Sequence, residues 1–269
     1  MKDSRPTIGV FDSGIGGLTV VKALLNVLPG CRIIYLGDTA RTPYGSKSAA
    51  TIINYSLNNT AFLLHKGADI IVIACNTASS YAFDAIVNQY NRPVFEVTGP
   101  GAALAARRSR NRRIGVIGTR ATIASGIYTQ RLRRLLPDAM VYAAACPLLV
   151  PLVEEGWLAK PETRRIVKNY LRPLRDKHID TLILGCTHYP VLRELIQRKI
   201  GRQVKLVDSA EAVANQIGSD RRIECNRRDI NPEPLDDRCA VYITDTAEQF
   251  RVTARMILNV PVRVEQADL

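Results

Sequence analysis

Two cysteines, Cys75 and Cys186, stand in closely similar settings. One lies in IVIACNTAS (residues 71–79) and the other in LILGCTHYP (residues 182–190). Each ends an apolar run and is followed at once by polar residues. If the two runs are buried strands, both sulfurs lie at strand carboxyl ends, where ligands bind in open α/β sheets. Each cysteine is expected to open a turn into a helix, whose N-terminus carries about half a positive charge and unpaired N–H groups. That setting predicts a thiol pKa below the free value of roughly 8.5. Asn76–Thr77 and Thr187–His188 follow as capping and donor groups.

Two thiols facing each other across a cleft form a pair of opposed acid–base groups. Such a pair could remove a proton from one face of a carbon and return one to the other face, inverting a stereocentre. One sulfur must then be thiolate and the other thiol, with roles exchanged in the reverse direction. A cysteine hydrolase needs one nucleophile and a histidine base, which leaves the second cysteine idle. A redox pair needs Cα atoms within about 7 Å, which leaves no room for a substrate between them. A single cysteine in an apolar run is most often a small buried hydrophobe, and that reading is applied to Cys31, Cys146, Cys225 and Cys239. The six cysteines show no CxxC pairing, which argues against a disulfide scaffold or a zinc site and for free thiols in a reducing, cytoplasmic compartment.

The elements that must position these residues alternate. Thr7–Phe11 reads as a strand, followed by a turn with Gly14, Gly16 and Gly17 and the helical pattern LTVVKALLNVL. The glycines leave backbone N–H groups open where a helix begins, an expected anion site. Arg32–Leu36 is a second strand, Ala49–Lys66 a helix, Ile70–Ala74 a strand, Thr77–Tyr90 one helix and Pro93–Val97 a strand. Pro43-Tyr44-Gly45 is expected to form a turn presenting backbone groups and a phenol. Buried strands alternating with helices predict an α/β architecture with mostly parallel sheets flanked by helices. The pattern then restarts: RIGVIGTRATIASGIYTQRL from Arg113 echoes TIGVFDSGIGGLTVVKAL from Thr7, and Cys186 echoes Cys75. Offsets of about 106 and 111 residues suggest two pseudo-symmetric halves. Ala240–Thr244 adds a late strand. The expected division is therefore a discontinuous first domain, residues 1–97 plus 209–269, and a second domain, residues 98–208, with the active site in the cleft between them.

The chain has 269 residues, enough for two domains. No apolar run approaches the ~18 residues of a membrane span, and the N-terminal MKDSRPTIGVFDSG lacks the apolar stretch of a secretory signal. The net charge of +12 concentrates in Arg107–Arg113, Arg131–Arg134 and Arg221–Arg228. These clusters could attract nucleic acid or acidic molecules. No aromatic residues interleave with them to supply stacking platforms, so a nucleic-acid partner is not favoured.

The ordered set FDSGIGGLTV (Phe11–Val20), DTARTPYGSKS (Asp38–Ser48), ACNTAS (Ala74–Ser79), EEG (Glu154–Gly156) and LGCTHYP (Leu184–Pro190) resembles the aspartate/glutamate racemase family. The resemblance spans most of the first 200 residues. It implies two α/β domains, no pyridoxal phosphate and no metal. It implies that L- and D-glutamate are interconverted, with Cys75 taking the α-proton from D-glutamate and Cys186 from L-glutamate. Asp12 is then the polar partner of Cys75, and His188 and Glu154 serve the Cys186 side. Substrate contacts carried over by motif are Asp12, Ser13, Tyr44, Gly45, Asn76, Thr77, Thr187 and His188, with Thr119 lining the same pocket. Family members acting on aspartate tend to carry Glu at the place of His188, so His188 points to glutamate and to supply of D-glutamate for peptidoglycan. Family members are commonly homodimers. The alternatives are aspartate as substrate or, from a different class, a basic-surface regulator that binds nucleic acid or protein.

Overall fold

The computed structural model describes residues 6–221, 223, 238–245 and 248–269. The first stretch of chain forms Thr7–Asp12 (β1), Leu18–Val27 (α1), Arg32–Gly37 (β2), Ala49–His65 (α2), Ile70–Ile73 (β3), Asn76–Tyr81 (α3), Phe83–Gln89 (α4) and Val94–Glu96 (β4). Next come Thr98–Arg108 (α5), Arg113–Gly118 (β5), Arg120–Ala124 (α6), Ile127–Leu135 (α7), Met140–Ala145 (β6), Leu149–Glu154 (α8) and Pro161–Arg175 (α9). The remainder forms Thr181–Gly185 (β7), Arg193–Ile200 (α10), Lys205–Asp208 (β8), Ser209–Ser219 (α11), Cys239–Ile243 (β9), Glu248–Leu258 (α12) and Val264–Gln266 (β10).

The strands assemble into two parallel sheets, ordered β10-β9-β2-β1-β3-β4 and β6-β5-β7-β8. Helices cover both faces of each, which is why the strands read as continuous apolar runs. In β3, Ile70 and Val72 join one core cluster while Ile71 and Ile73 join another. In β7, Leu182 and Leu184 face one cluster and Ile183 the other. Each fully buried isoleucine or leucine contributes roughly 1.5–3 kcal/mol of transfer free energy, so these strands are fixed in register by the cores on both sides.

Both sheets reverse their winding at a central strand. β1 lies between β2 and β3, and β5 lies between β6 and β7. The carboxyl ends at that reversal are where a ligand crevice forms in this architecture. Asp12 and Cys75 end or follow β1 and β3; Thr119 and Cys186 follow β5 and β7. The matched offsets seen in the sequence thus correspond to matched strand positions in two sheets.

Several local expectations change. The single helix expected over 77–90 is two helices meeting at Ala82, where the Tyr81 hydroxyl donates to the Ala121 carbonyl at 3.0 Å. The loop 38–48 contains two 3₁₀ turns, Thr39–Arg41 and Tyr44–Ser46. Strands β6, β8 and β10 were not anticipated; half of β6 is alanine, and the strand is only partly buried. Cys31, expected as a free buried thiol, is disulfide-bonded. That removes the argument from free cysteines to a reducing compartment. Cys225 and most of Arg221–Arg228 lie outside the described residues. No helix of the described residues is long and apolar enough to cross a membrane.

Candidate functional site

Cys75 is the N-cap of α3, and its sulfur accepts the Ala78 N–H at 3.5 Å. Its thiol points at the Ser13 hydroxyl, 3.8 Å away. Cys186 differs from its counterpart. The residues after it form a turn and a 3₁₀ stretch, Tyr189–Leu192, and the α-helix begins only at Arg193. The expected helix N-terminus is therefore present at one sulfur and not at the other. The partner of Cys186 is instead His188, whose Nδ1 lies 3.7 Å from the sulfur.

Cys75 and Cys186 line one narrow pocket between the two sheets. Ser13, Tyr44, Gly45, Asn76 and Thr77 contribute from the side of the first sheet. Thr119, Thr187 and His188 contribute from the second, and Pro43, from the expected turn, and Val150, which was not anticipated, complete the wall. The space between them has room for about one water molecule. Among the described residues, no three His, Cys, Asp or Glu side chains gather to hold a metal ion.

The glycine turn does not offer the open anion site expected of it. Gly17 and Gly14 donate their N–H groups to Asp12 Oδ2 at 2.9 and 3.3 Å, so the carboxylate of the chain itself fills the place. Thr187 donates to Asp12 from the other side at 3.2 Å. Asp12 is fully buried beneath the pocket and acts on Cys75 through charge, while the hydrogen bonds of Cys75 go to Ser13 and Ala78. The glycines serve close approach instead. A Cβ on Gly16 would stand 2.5 Å from Thr187 Oγ1 and 2.6 Å from His188 Nδ1, so that position must lack a side chain for the halves to meet.

Tyr44 also departs from expectation. Its ring lines the pocket, but its phenol is turned away, donating to Asp38 and accepting from Asn59 Nδ2 at 3.0 Å. Asp38 in turn holds Arg41 and Thr244. This buried network fixes the turn that carries Gly45 against Thr119. Across the pocket, Thr77, Thr119 and Thr122 close a ring of hydroxyl contacts at 2.9 to 3.0 Å, joining α3 to the start of α6. Thr122 was not recognised from the sequence, although it stands one turn beyond the N-cap threonine.

The electrostatics reverse one prediction. Burial pushes the Cys75 thiol up to about 12, and the Asp12 carboxylate adds to the effect; the Ala78 N–H lowers it too little to compensate. Desolvation thus outweighs the helix N-terminus. Asp12 itself is raised above the usual carboxylate range by burial, against the opposing pull of His188 and of the Gly17 and Gly14 N–H groups. For His188, burial disfavours the charged ring, but hydrogen bonds and charge from Cys186 and Glu154 overcome it and hold its pKa well above the ordinary value. Glu154 Oε1 is 3.1 Å from His188 Nε2, so Glu154 reaches the pocket only through the imidazole.

Several arginines of the basic clusters are engaged locally. Arg108 donates to the Leu206 carbonyl, Arg112 pairs with Asp138 at 2.6 Å and Arg131 pairs with Glu96. Arg113 donates to the Lys177 carbonyl and lies over the Tyr142 ring.

Comparison with known proteins places this geometry. The Asp/Glu/hydantoin racemase family matches residues 19–217. The glutamate racemase of Syntrophus aciditrophicus is 46% identical over 252 residues, covering 94% of this chain and 92% of that protein. A crystal structure of a glutamate racemase isoform from Bacillus anthracis superimposes with a TM-score of 0.91 at 34% identity, covering 98% of each chain. The Francisella tularensis glutamate racemase, solved in complex with D-glutamate, gives a TM-score of 0.88 at 38% identity, covering 99% of this chain and 98% of that one. With sequence and backbone in agreement along nearly the whole length, the chain belongs to the Asp/Glu/hydantoin racemase family.

Proposed function

We propose that this protein interconverts L- and D-glutamate by moving the α-proton between two cysteines. The observation that carries the reading is that Cys75 and Cys186, from the ends of matched strands in different sheets, share one enclosed pocket. In the direction from L-glutamate, Cys186 takes the α-proton; the Cα–H bond breaks, an S–H bond forms, and the electron pair is held by the α-carboxylate. Cys75 then delivers its proton to the opposite face. Its raised pKa suits it to wait as the thiol. From D-glutamate the roles exchange, and the ammonium group of the substrate supplies the positive charge that favours a Cys75 thiolate.

Ser13, Asn76, Thr77 and Thr119 offer hydroxyl and amide groups for the two carboxylates, with the backbone of Tyr44–Gly45 beside them, while Thr187 lines the same pocket with its hydroxyl given to Asp12. His188 supports Cys186 and Glu154 orients His188. Asp12 tunes the charge of Cys75 and holds the turn that bears Ser13. Glutamate is larger than the space between the thiols, so the two halves separate to admit it. We assign one half to residues 1–97 plus 209–269 and the other to 98–208, following the membership of the two sheets. Glutamate as the bound molecule, supply of D-glutamate for peptidoglycan, a homodimer and a cytoplasmic address belong to the same reading.

The test is exchange and racemisation in deuterated water. C75S and C186S should both lose racemisation, and each should retain α-proton exchange from only one enantiomer, D-glutamate for C186S and L-glutamate for C75S. Normal racemisation by either variant would remove the two-thiol mechanism, and a higher kcat/KM for aspartate would move the substrate assignment.

A further inference from the structure

Tyr128 on α7 belongs to neither cysteine strand, yet it reaches both. Its phenol is buried, 3% exposed, and donates to Asn76 Oδ1 at 2.6 Å. Asn76 is the residue after Cys75 and opens α3. The edge of the same ring lies against the residue before Cys186: a Cβ built on Gly185 would stand 3.1 Å from Tyr128 Cε2. One side chain thus contacts the immediate chain neighbours of both sulfurs. One turn further along the same helix face, Arg131 pairs with Glu96 of β4, which clamps α7 to the first sheet.

The hydrogen bond also fixes which way the Asn76 amide faces. With its oxygen taken by Tyr128, the amide must present its NH₂ elsewhere. One of those N–H groups has Ser209 Oγ at 3.4 Å, a long contact, and Asn76 lines the pocket. Only N–H donors are then left for a bound carboxylate. A rigid aromatic ring with two torsions suits such a spacer, since it holds distance at little conformational cost.

Resting on the racemase reading above, we infer that Tyr128 is a positioning residue, which sets the separation of the two cysteines and turns the Asn76 amide to donate to substrate. It touches no reacting atom. Removing its hydroxyl frees the Asn76 amide and loosens the Cys75 side, while the ring still packs on Gly185. The step at Cys75 then becomes the slow one in both directions.

The experiment is a double-mutant cycle on the full chain with Y128F, N76A and Y128F/N76A, assayed as kcat and kcat/KM with each glutamate enantiomer. The equilibrium of racemisation requires kcat/KM to fall equally from both sides. Y128F should lower it roughly 10- to 100-fold, the scale expected of a small misplacement. Y128F/N76A should match N76A within about twofold, because the effect runs through Asn76. The α-deuterium isotope effect on kcat/KM should rise with D-glutamate, where Cys75 abstracts, and not with L-glutamate. Wild-type kinetics in Y128F, or a loss that persists at full size in the N76A background, overturns the inference. Should Y128F alone fail to fold, the comparison of Y128F/N76A with N76A still decides, since neither partner of the bond remains in the double variant. Absence of glutamate racemisation in the wild-type protein would instead overturn the functional reading.

Discussion

The Glu154 carboxylate and the His188 imidazole lie 3.1 Å apart, on the side of the ring opposite to the Cys186 sulfur. Hydrogen bonds and charge from Cys186 and Glu154 outweigh burial and hold the His188 pKa well above the ordinary histidine value. H188N should lower kcat/KM by about 10²- to 10⁴-fold, the usual scale for a proton-transfer partner. E154Q removes one of the two groups that raise the histidine, so the basic limb of the pH–rate profile should move to lower pH. Stability follows the same sign. The charged ring stabilises the fold fully below about pH 6.5 and ceases to do so as pH rises through its raised value. The difference in urea midpoint between wild type and H188N should therefore shrink as pH increases.

Gly16 sits at a close approach of the two halves. G16A would drive a methyl group into Thr187 and His188, and overpacking of this kind costs about 1–3 kcal/mol. The displaced residues stand next to Cys186, so kcat/KM should fall about 100-fold in a protein that still unfolds cooperatively. Racemisation and circular dichroism melting together check this.

Asp208, at the end of β8, is 7% exposed and accepts the Ala210 N–H at 2.9 Å as the N-cap of α11. Burial lifts its pKa from 3.8 to about 6. The folded state then holds its proton more tightly than the unfolded chain, and stability falls as pH climbs from about 4 to about 6. D208N keeps a capping oxygen and removes the buried charge. It should gain on the order of 3 kcal/mol relative to wild type at pH 7.5 and converge with it near pH 4, by the pKa difference alone. Paired urea titrations at the two pH values read this directly.

Glu96 is 6% exposed and caps α5 through the N–H groups of Thr98 and Gly99, while Arg131 neutralises it from α7. R131A leaves that carboxylate buried without its cation, a loss of about 3 kcal/mol. Adding E96Q should restore part of it. An undiminished loss in E96Q/R131A would show that the arginine acts through packing instead of charge.

Much of this organisation was legible in the chain. The apolar runs ending at Cys75 and Cys186 read as strands buried on both faces, and their closely similar spacing from the strands at Thr7 and Arg113 marked a repeated arrangement. The alanine-rich β6 carried no such signal, because half-buried alanine satisfies helix and strand alike. Tyr128 was invisible for a different reason: it lies in a basic helix more than 50 positions from each cysteine's partner residue, and nothing local marks a tyrosine that will bridge two sheets.

The sequence by itself determined which side chains stand at the strand ends, since the alternation of apolar runs and turns leaves the chain little choice of where each strand stops. Tertiary structure decided what those side chains are worth. It filled the glycine turn with Asp12, turned the Tyr44 phenol toward Asp38, and raised Cys75 where a helix terminus alone would have lowered it. Desolvation and long-range partners depend on what packs from the other half of the molecule, and no local pattern of residues encodes that.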